Sequence, residues 1–197
     1  MLTSVFAEAG IVKTAQQRGV AALGCAAGQT WAWDGVRFDV LHPDADNYID
    51  AKLKTNDRSC VVKVSSKLFS VLLTADVEVK SETTLIKRYA AHPEVLKSDV
   101  LMMPHHGSLT SSTPAFIDAV APKLAVINAG YRNRFGHPRD AVLARYVERN
   151  IAVLRTDWHG AISIDSTLGL ANVQTERNSR QRYWVDRPDA SDRRPIE

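Results

Sequence analysis

The sequence predicts an α/β domain built on mixed sheets, with helices covering the faces. Two observations carry that prediction: hairpin signatures crowd the first third of the chain, and apolar strands alternate with amphipathic segments after residue 78. The first twenty residues predict a modest helix, with Val5, Phe6, Ile11 and Val12 on no sharp face. Gly19 to Gly28 is small and apolar and reads as a buried strand and turn. Trp31-Ala-Trp33, the pair Asp34-Gly35 and Val36 to Val40 form a hairpin, because Asp-Gly suits the positive φ angles of a type I′ turn. His42 to Asn56 is polar and loop-like. Ser59 to Val64 and Leu68 to Thr74 predict a second hairpin.

The later elements follow from helical and strand periods. Leu85, Ile86 and Tyr89 mark one stripe of a helix over 79–90. Asp99 to Met103 reads as a short strand, and Thr113-Pro114 as the N-cap and first residue of a helix. Leu124 to Ile127 is another strand. His137-Pro138 opens a helix whose Val142, Leu143, Tyr146 and Val147 face the core. Strands over 151–154, 161–164 and near 169–174 complete the domain, taken as residues 1–175. Residues 176–197 hold six Arg and five acidic residues with Tyr183 and Trp184, and read as an Arg-rich surface tail.

Composition narrows the classes. The 197 residues suit one domain; 45% are hydrophobic and 24% charged, which excludes collagen-like and disordered chains. A net charge of +3 permits an anionic substrate without requiring one. No apolar run approaches the roughly 20 residues that span a bilayer. The two cysteines, Cys25 and Cys60, form no CxxC pair and sit among apolar neighbours, so buried, inert thiols are expected.

Three strands end in loops rich in metal-competent groups. Asp76 and Glu78 follow the first, His105-His106-Gly107-Ser108 the second, and Asn128 to His137 the third. Ligands gather beyond the carboxyl ends of strands in α/β folds, so these loops are expected to converge. Carboxylate and imidazole suit Zn2+, Mn2+ or Fe, and no thiolate is offered. Each residue also has a plainer reading: Asp76 as a turn residue, His105-His106 as a structural pair, His137 as a helix cap. Ser108, Ser111, Ser112 and Asn128 read foremost as loop hydrogen-bonders. His42 to Asn47 superficially matches a metal loop but is set aside, since Asn47 is a poor substitute for an imidazole.

An ordered series of motifs carries a resemblance. It runs Trp31-Ala-Trp-Asp-Gly-Val36, Val40-Leu-His-Pro43, Asn56-Asp-Arg-Ser-Cys60, Leu72-Leu-Thr-Ala-Asp76 and Pro104-His-His-Gly-Ser108, then Asn128-Ala-Gly130, Asn133-Arg-Phe-Gly-His-Pro138, Arg155-Thr-Asp157 and Gly160-Ala-Ile162. Over residues 22–165 the chain resembles the C-terminal metallo-β-lactamase-like domain of the ComEC family of DNA-internalisation competence proteins. The resemblance implies an αββα sandwich with metals at one sheet edge, and a role in moving single-stranded DNA across the inner membrane. It implies a divalent-metal cofactor, Zn or Mn, with Asp76 as the carboxylate shared between two metals and His105, His106 and His137 as ligands. It also implies a membrane-channel partner and inner-membrane association in the intact family protein.

The departures set further expectations. The family's opening strand and first metal loop should lie upstream of Met1, so the chain reads as a partial domain with an open sheet edge and exposed apolar surface. Ala75 stands where the family has Gly. A binuclear site takes about six to eight protein ligands, and only three or four candidates are present. Two readings follow: metal-assisted phosphodiester hydrolysis, with Asp76, His106 and His137 catalytic in the intact domain, or a catalytically incomplete module that guides DNA or packs against the channel. A truncated, non-functional product is a third. Arg132, Arg134, Arg139 and Ser108 are the candidate phosphate contacts in either functional case.

Overall fold

The computed structural model describes residues 10–50, 52–131, 133–165 and 169–179. Arg132, the start of the expected N-terminal helix and most of the expected tail lie outside the described residues.

A short helix α1 (Ile11–Gln17) precedes two β-hairpins. Strands β1 (Thr30–Trp33) and β2 (Val36–His42) turn at Asp34-Gly35, whose φ angles of 50° and 78° are those the Asp-Gly pair predicts. Strands β3 (Val61–Ser65) and β4 (Ser70–Leu73) form the second hairpin. The chain then alternates: α2 (Val79–Arg88), β5 (Val100–Met102), α3 (Pro114–Val120), β6 (Leu124–Ile127), α4 (Asp140–Val147) and β7 (Ala152–Arg155). Helix α5 (Thr156–His159), the pair β8 (Ile162–Ile164) and β9 (Val173–Thr175), and α6 (Glu176–Ser179) follow.

Strands β1 to β7 lie side by side in chain order as one seven-stranded sheet, antiparallel from β1 to β4 and parallel from β4 to β7. Each parallel step advances in the same direction, and right-handed crossovers then place α2, α3 and α4 on one face. Leu101, Ala125, Ile127 and Val153 point to that face and pack with Leu85, Phe116, Ile117, Val142 and Tyr146. The intervening residues Val100, Met102, Leu124, Val126 and Leu154 point to the other face and meet Ile162, Ile164 and Val173 of the two-stranded β8–β9 sheet. The parallel strands are thus apolar on both faces, which is why they read as unbroken hydrophobic runs.

The β1 end of the sheet is less covered. Trp31 stacks on Phe38 with ring centroids 5.0 Å apart, and Trp33 is 70% exposed.

Three local expectations are corrected. Gly19 to Gly28 forms no strand, and Val20 and Leu23 are exposed; its small side chains offer too little apolar area to hold a place on the sheet. Helix α4 begins at Asp140 rather than at His137-Pro138, because the Asn133 side chain engages both the N–H and the C=O of His137. Val147 is exposed, lying past the edge of the stripe that buries Val142 and Tyr146. The N-cap at Thr113 stands as expected, its hydroxyl accepting from the Phe116 N–H.

The cysteines also differ from expectation. Cys25 and Cys60 form a disulfide with Cα atoms 6.0 Å apart, and both are partly exposed rather than buried thiols. Their 35-residue separation conceals the pairing. It becomes visible only when Val61 pairs with His42 and Ala27 donates to the Pro43 carbonyl, bringing both ends to one place.

Candidate functional site

The carboxyl ends of β4 and β5 are joined by the Thr74 hydroxyl, which donates to the Met102 carbonyl at 2.6 Å. One residue on, Ala75 takes a left-handed φ of 47° and its carbonyl accepts from the His105 N–H at 3.0 Å. His105 and His106 are left-handed as well, at 47° and 54°. Side chains with a Cβ pay roughly 1–2 kcal/mol in that region, so three such residues mark a strongly constrained turn. The loop after β6 closes against it, with the Arg139 N–H donating to the Gly107 carbonyl at 3.0 Å.

Two imidazole–carboxylate pairs result. His106 Nε2 stands 3.3 Å from Asp76 Oδ1, both about half exposed. Its Nδ1 donates to the Asn128 carbonyl at 2.7 Å, since a carbonyl can only accept. In that tautomer Nε2 turns its lone pair toward the carboxylate, an arrangement that a metal cation between them would relieve.

His105 forms the second pair. Its Nδ1 lies 3.2 Å from Thr110 Oγ1 and 3.6 Å from Glu78 Oε1, while Asn56 Nδ2 approaches its Nε2 at 3.5 Å. Glu78 also accepts from Asn56 Nδ2 and Lys54 Nζ, each at 3.3 Å. Burial pushes the Glu78 carboxyl up, but these hydrogen bonds outweigh it and hold the group below the usual carboxylate range.

His137 borders both pairs, its ring centroid 6.1 Å from that of His105 and 6.2 Å from Phe135. Burial, with the charges of Arg139, His105 and His106, holds it below the ordinary histidine value and favours the neutral ring. Its buried Nδ1 has no hydrogen-bond partner among the described residues.

Of the candidate phosphate contacts, Arg134 and Arg139 are exposed on the His137 loop, with Arg134 5.0 Å over the Phe135 ring. Ser108 is 8% exposed and its hydroxyl lies 3.1 Å from Thr110 Oγ1. Ser111 and Ser112 are fully buried, Ser111 bonding the Pro104 carbonyl beneath the histidines. His42, which opens the metal-loop lookalike, is buried with Nε2 2.9 Å from the Asp57 carbonyl.

Sequence reasoning named Glu78 only as a neighbour of Asp76 and gave no role to Asn56, Lys54 or Thr110. The one signal in the sequence is Asn56, which opens the Asn56-Asp-Arg-Ser-Cys60 motif. Among the described residues, no group of three or more His, Cys, Asp or Glu side chains is placed to hold a metal ion together.

Fold and site together define a mixed α/β domain with imidazoles and carboxylates gathered at the carboxyl ends of its strands. No protein-family model matches the chain. It is 39% identical to Competence protein ComA of Neisseria gonorrhoeae over 161 residues, covering 81% of this chain and 22% of that protein. It is 32% identical to Recombination protein 2 of Haemophilus influenzae over 161 residues, 82% of this chain and 19% of that protein. It is 34% identical to ComE operon protein 3 of Bacillus subtilis over 152 residues, 77% of this chain and 19% of that protein. The chain spans about a fifth of the length of these curated relatives. The likenesses support a competence-related family. Among the described residues no helix is long and apolar enough to cross a membrane.

Proposed function

We propose that the chain is the DNA-handling domain of a competence protein, and that its strand-end loops meet the phosphodiester backbone of an incoming single strand. The observation that carries this reading is the placement of Arg134 and Arg139 on the loop that packs against His105 and His106. Cations there neutralise phosphates, while the histidines and Asn56 supply polar groups for the backbone oxygens. Helices on one face of the main sheet and a second sheet on the other support a metallo-β-lactamase-like sandwich. In the full-length protein this domain stands beside a channel at the inner membrane.

The test is fluorescence anisotropy with a labelled DNA single strand across a salt series. Replacing Arg134 and Arg139 together by Gln should weaken binding several-fold and lower the slope of log K against log salt by about 1–2. Unchanged affinity and slope would reject the reading.

Metal-assisted hydrolysis is the second reading, favoured by the His106 tautomer that points Nε2 at Asp76. Zn2+ or Mn2+ would find an imidazole and a carboxylate there. Cleavage of single-stranded DNA that needs Mn2+ or Zn2+ and is lost in Asp76→Asn would reverse that order.

A further inference from the structure

We propose that Cys25 and Cys60 are the substrate dithiol of a protein disulfide exchanger, and that the domain works in the oxidising compartment where their bond persists. These are the only two cysteines in the chain, so no other intramolecular pairing competes. Their Cα separation of 6.0 Å lies within the range that a disulfide spans. Both are partly exposed, which admits an exchanging thiol; a fully buried pair would not.

The surrounding chain shows what the bond replaces. Residues 19–28 have no regular element and no core of their own, with Leu23 85% exposed. Among the described residues, the hydrogen bonds that tie them to the domain include Ala27 N–H to the Pro43 carbonyl at 2.7 Å, Gly28 N–H to the Val40 carbonyl at 3.0 Å, Tyr48 Oη to the Cys25 carbonyl at 2.8 Å, and the Gln29 side chain to the Ala26 N–H and the Gly24 carbonyl. The covalent tie does for this segment what apolar packing does elsewhere. Its other end follows the turn Asn56–Arg58, where Asn56 touches Glu78 and His105. A reducing compartment would leave both thiols free and this segment weakly held.

The chemistry balances. One chain thiolate attacks the exchanger's disulfide, forming a mixed disulfide and releasing one exchanger thiolate. The second chain thiolate attacks the chain sulfur of that bond, closing Cys25–Cys60 and releasing the other exchanger thiolate. Two electrons pass to the exchanger, and the two protons lost by the chain's thiols are matched by two taken up there.

The proposal is independent of the DNA reading, and its test uses neither DNA nor metal. The chain is produced once by export to an oxidising compartment and once in a reducing cytosol, and its thiols are counted by alkylation in denaturant. The exported protein should show none before reduction and two after. Limited proteolysis within residues 19–29 should then accelerate at least about tenfold on adding reductant. The double variant Cys25→Ser, Cys60→Ser should be cut as fast as reduced wild type and ignore reductant. Two alkylatable thiols in the exported protein, or equal cutting rates with and without reductant, would overturn the proposal. Should the double variant fail to fold, the wild-type comparison alone decides it.

Discussion

Gly107 and Pro138 lie so close that a Cβ on residue 107 would fall 2.6 Å from the Pro138 Cβ. Gly107 also holds a φ of 78°, so it is both the contact and the conformation that exclude a side chain. Through this contact the histidine loop after β5 and the His137 loop after β6 become one surface.

Gly107→Ala should therefore separate the two loops. The left-handed backbone costs about 1–2 kcal/mol and the overpacking about 1–3 kcal/mol, so a total loss of about 2–5 kcal/mol is expected in urea denaturation. Single-stranded DNA affinity should fall under conditions where the variant remains folded. A variant of wild-type stability would show that the loops part without cost.

Glu82 should prove to be the support of the histidine loop from below. Its fully buried carboxylate accepts from the Ser112 N–H at 2.5 Å and the Thr113 N–H at 2.9 Å, while Arg145 Nη1 donates to the Ser111 and Ser112 carbonyls. Glu82→Ala leaves the buried Ser112 N–H and the partly buried Thr113 N–H without this partner, a loss of about 2–5 kcal/mol. Glu82→Gln retains one acceptor oxygen and should recover part of that loss. Thermal or urea unfolding of the pair measures both, and equal stability of Ala and Gln variants would count against the assignment.

His42 should make stability fall in mild acid. Burial, foremost, pushes its pKa below the ordinary 6.5, and its buried Nδ1 has no partner among the described residues. Above 6.5 the ring is neutral in both states and its contribution is complete. As pH drops below 6.5 the unfolded chain takes the proton first, so stability declines with falling pH. Burial pushes the Glu82 carboxyl up, which acts with the opposite sign, since the folded chain binds that proton more readily. The His42 contribution is isolated by comparing urea midpoints of wild type and His42→Gln between pH 7 and 5. The variant should lose less stability over that interval; equal slopes would refute it.

Much of the scaffold was legible because short-range rules govern it. Asp34-Gly35 sets its own turn, Thr113-Pro114 caps its own helix, and the run Leu124 to Ile127 is apolar throughout because both sheet faces are covered. Gly19 to Gly28 misled because small apolar residues suit a buried strand as well as an exposed strap. His137-Pro138 misled because the Asn133 side chain, four residues back, claims the backbone that a helix start would use.

By itself, the sequence determined the hairpins, the alternation of strand and helix, and the arrival of Asp76, His105, His106 and His137 at strand ends. Those depend on side-chain period and local backbone preference, which act over a few residues. Only the tertiary structure decided that His106 meets Asp76, that His105 meets Glu78 and Asn56, and that Cys25 meets Cys60. These partners are set by strand order, crossover hand and loop contact across sheet neighbours, and no local spacing encodes which side chains then face one another.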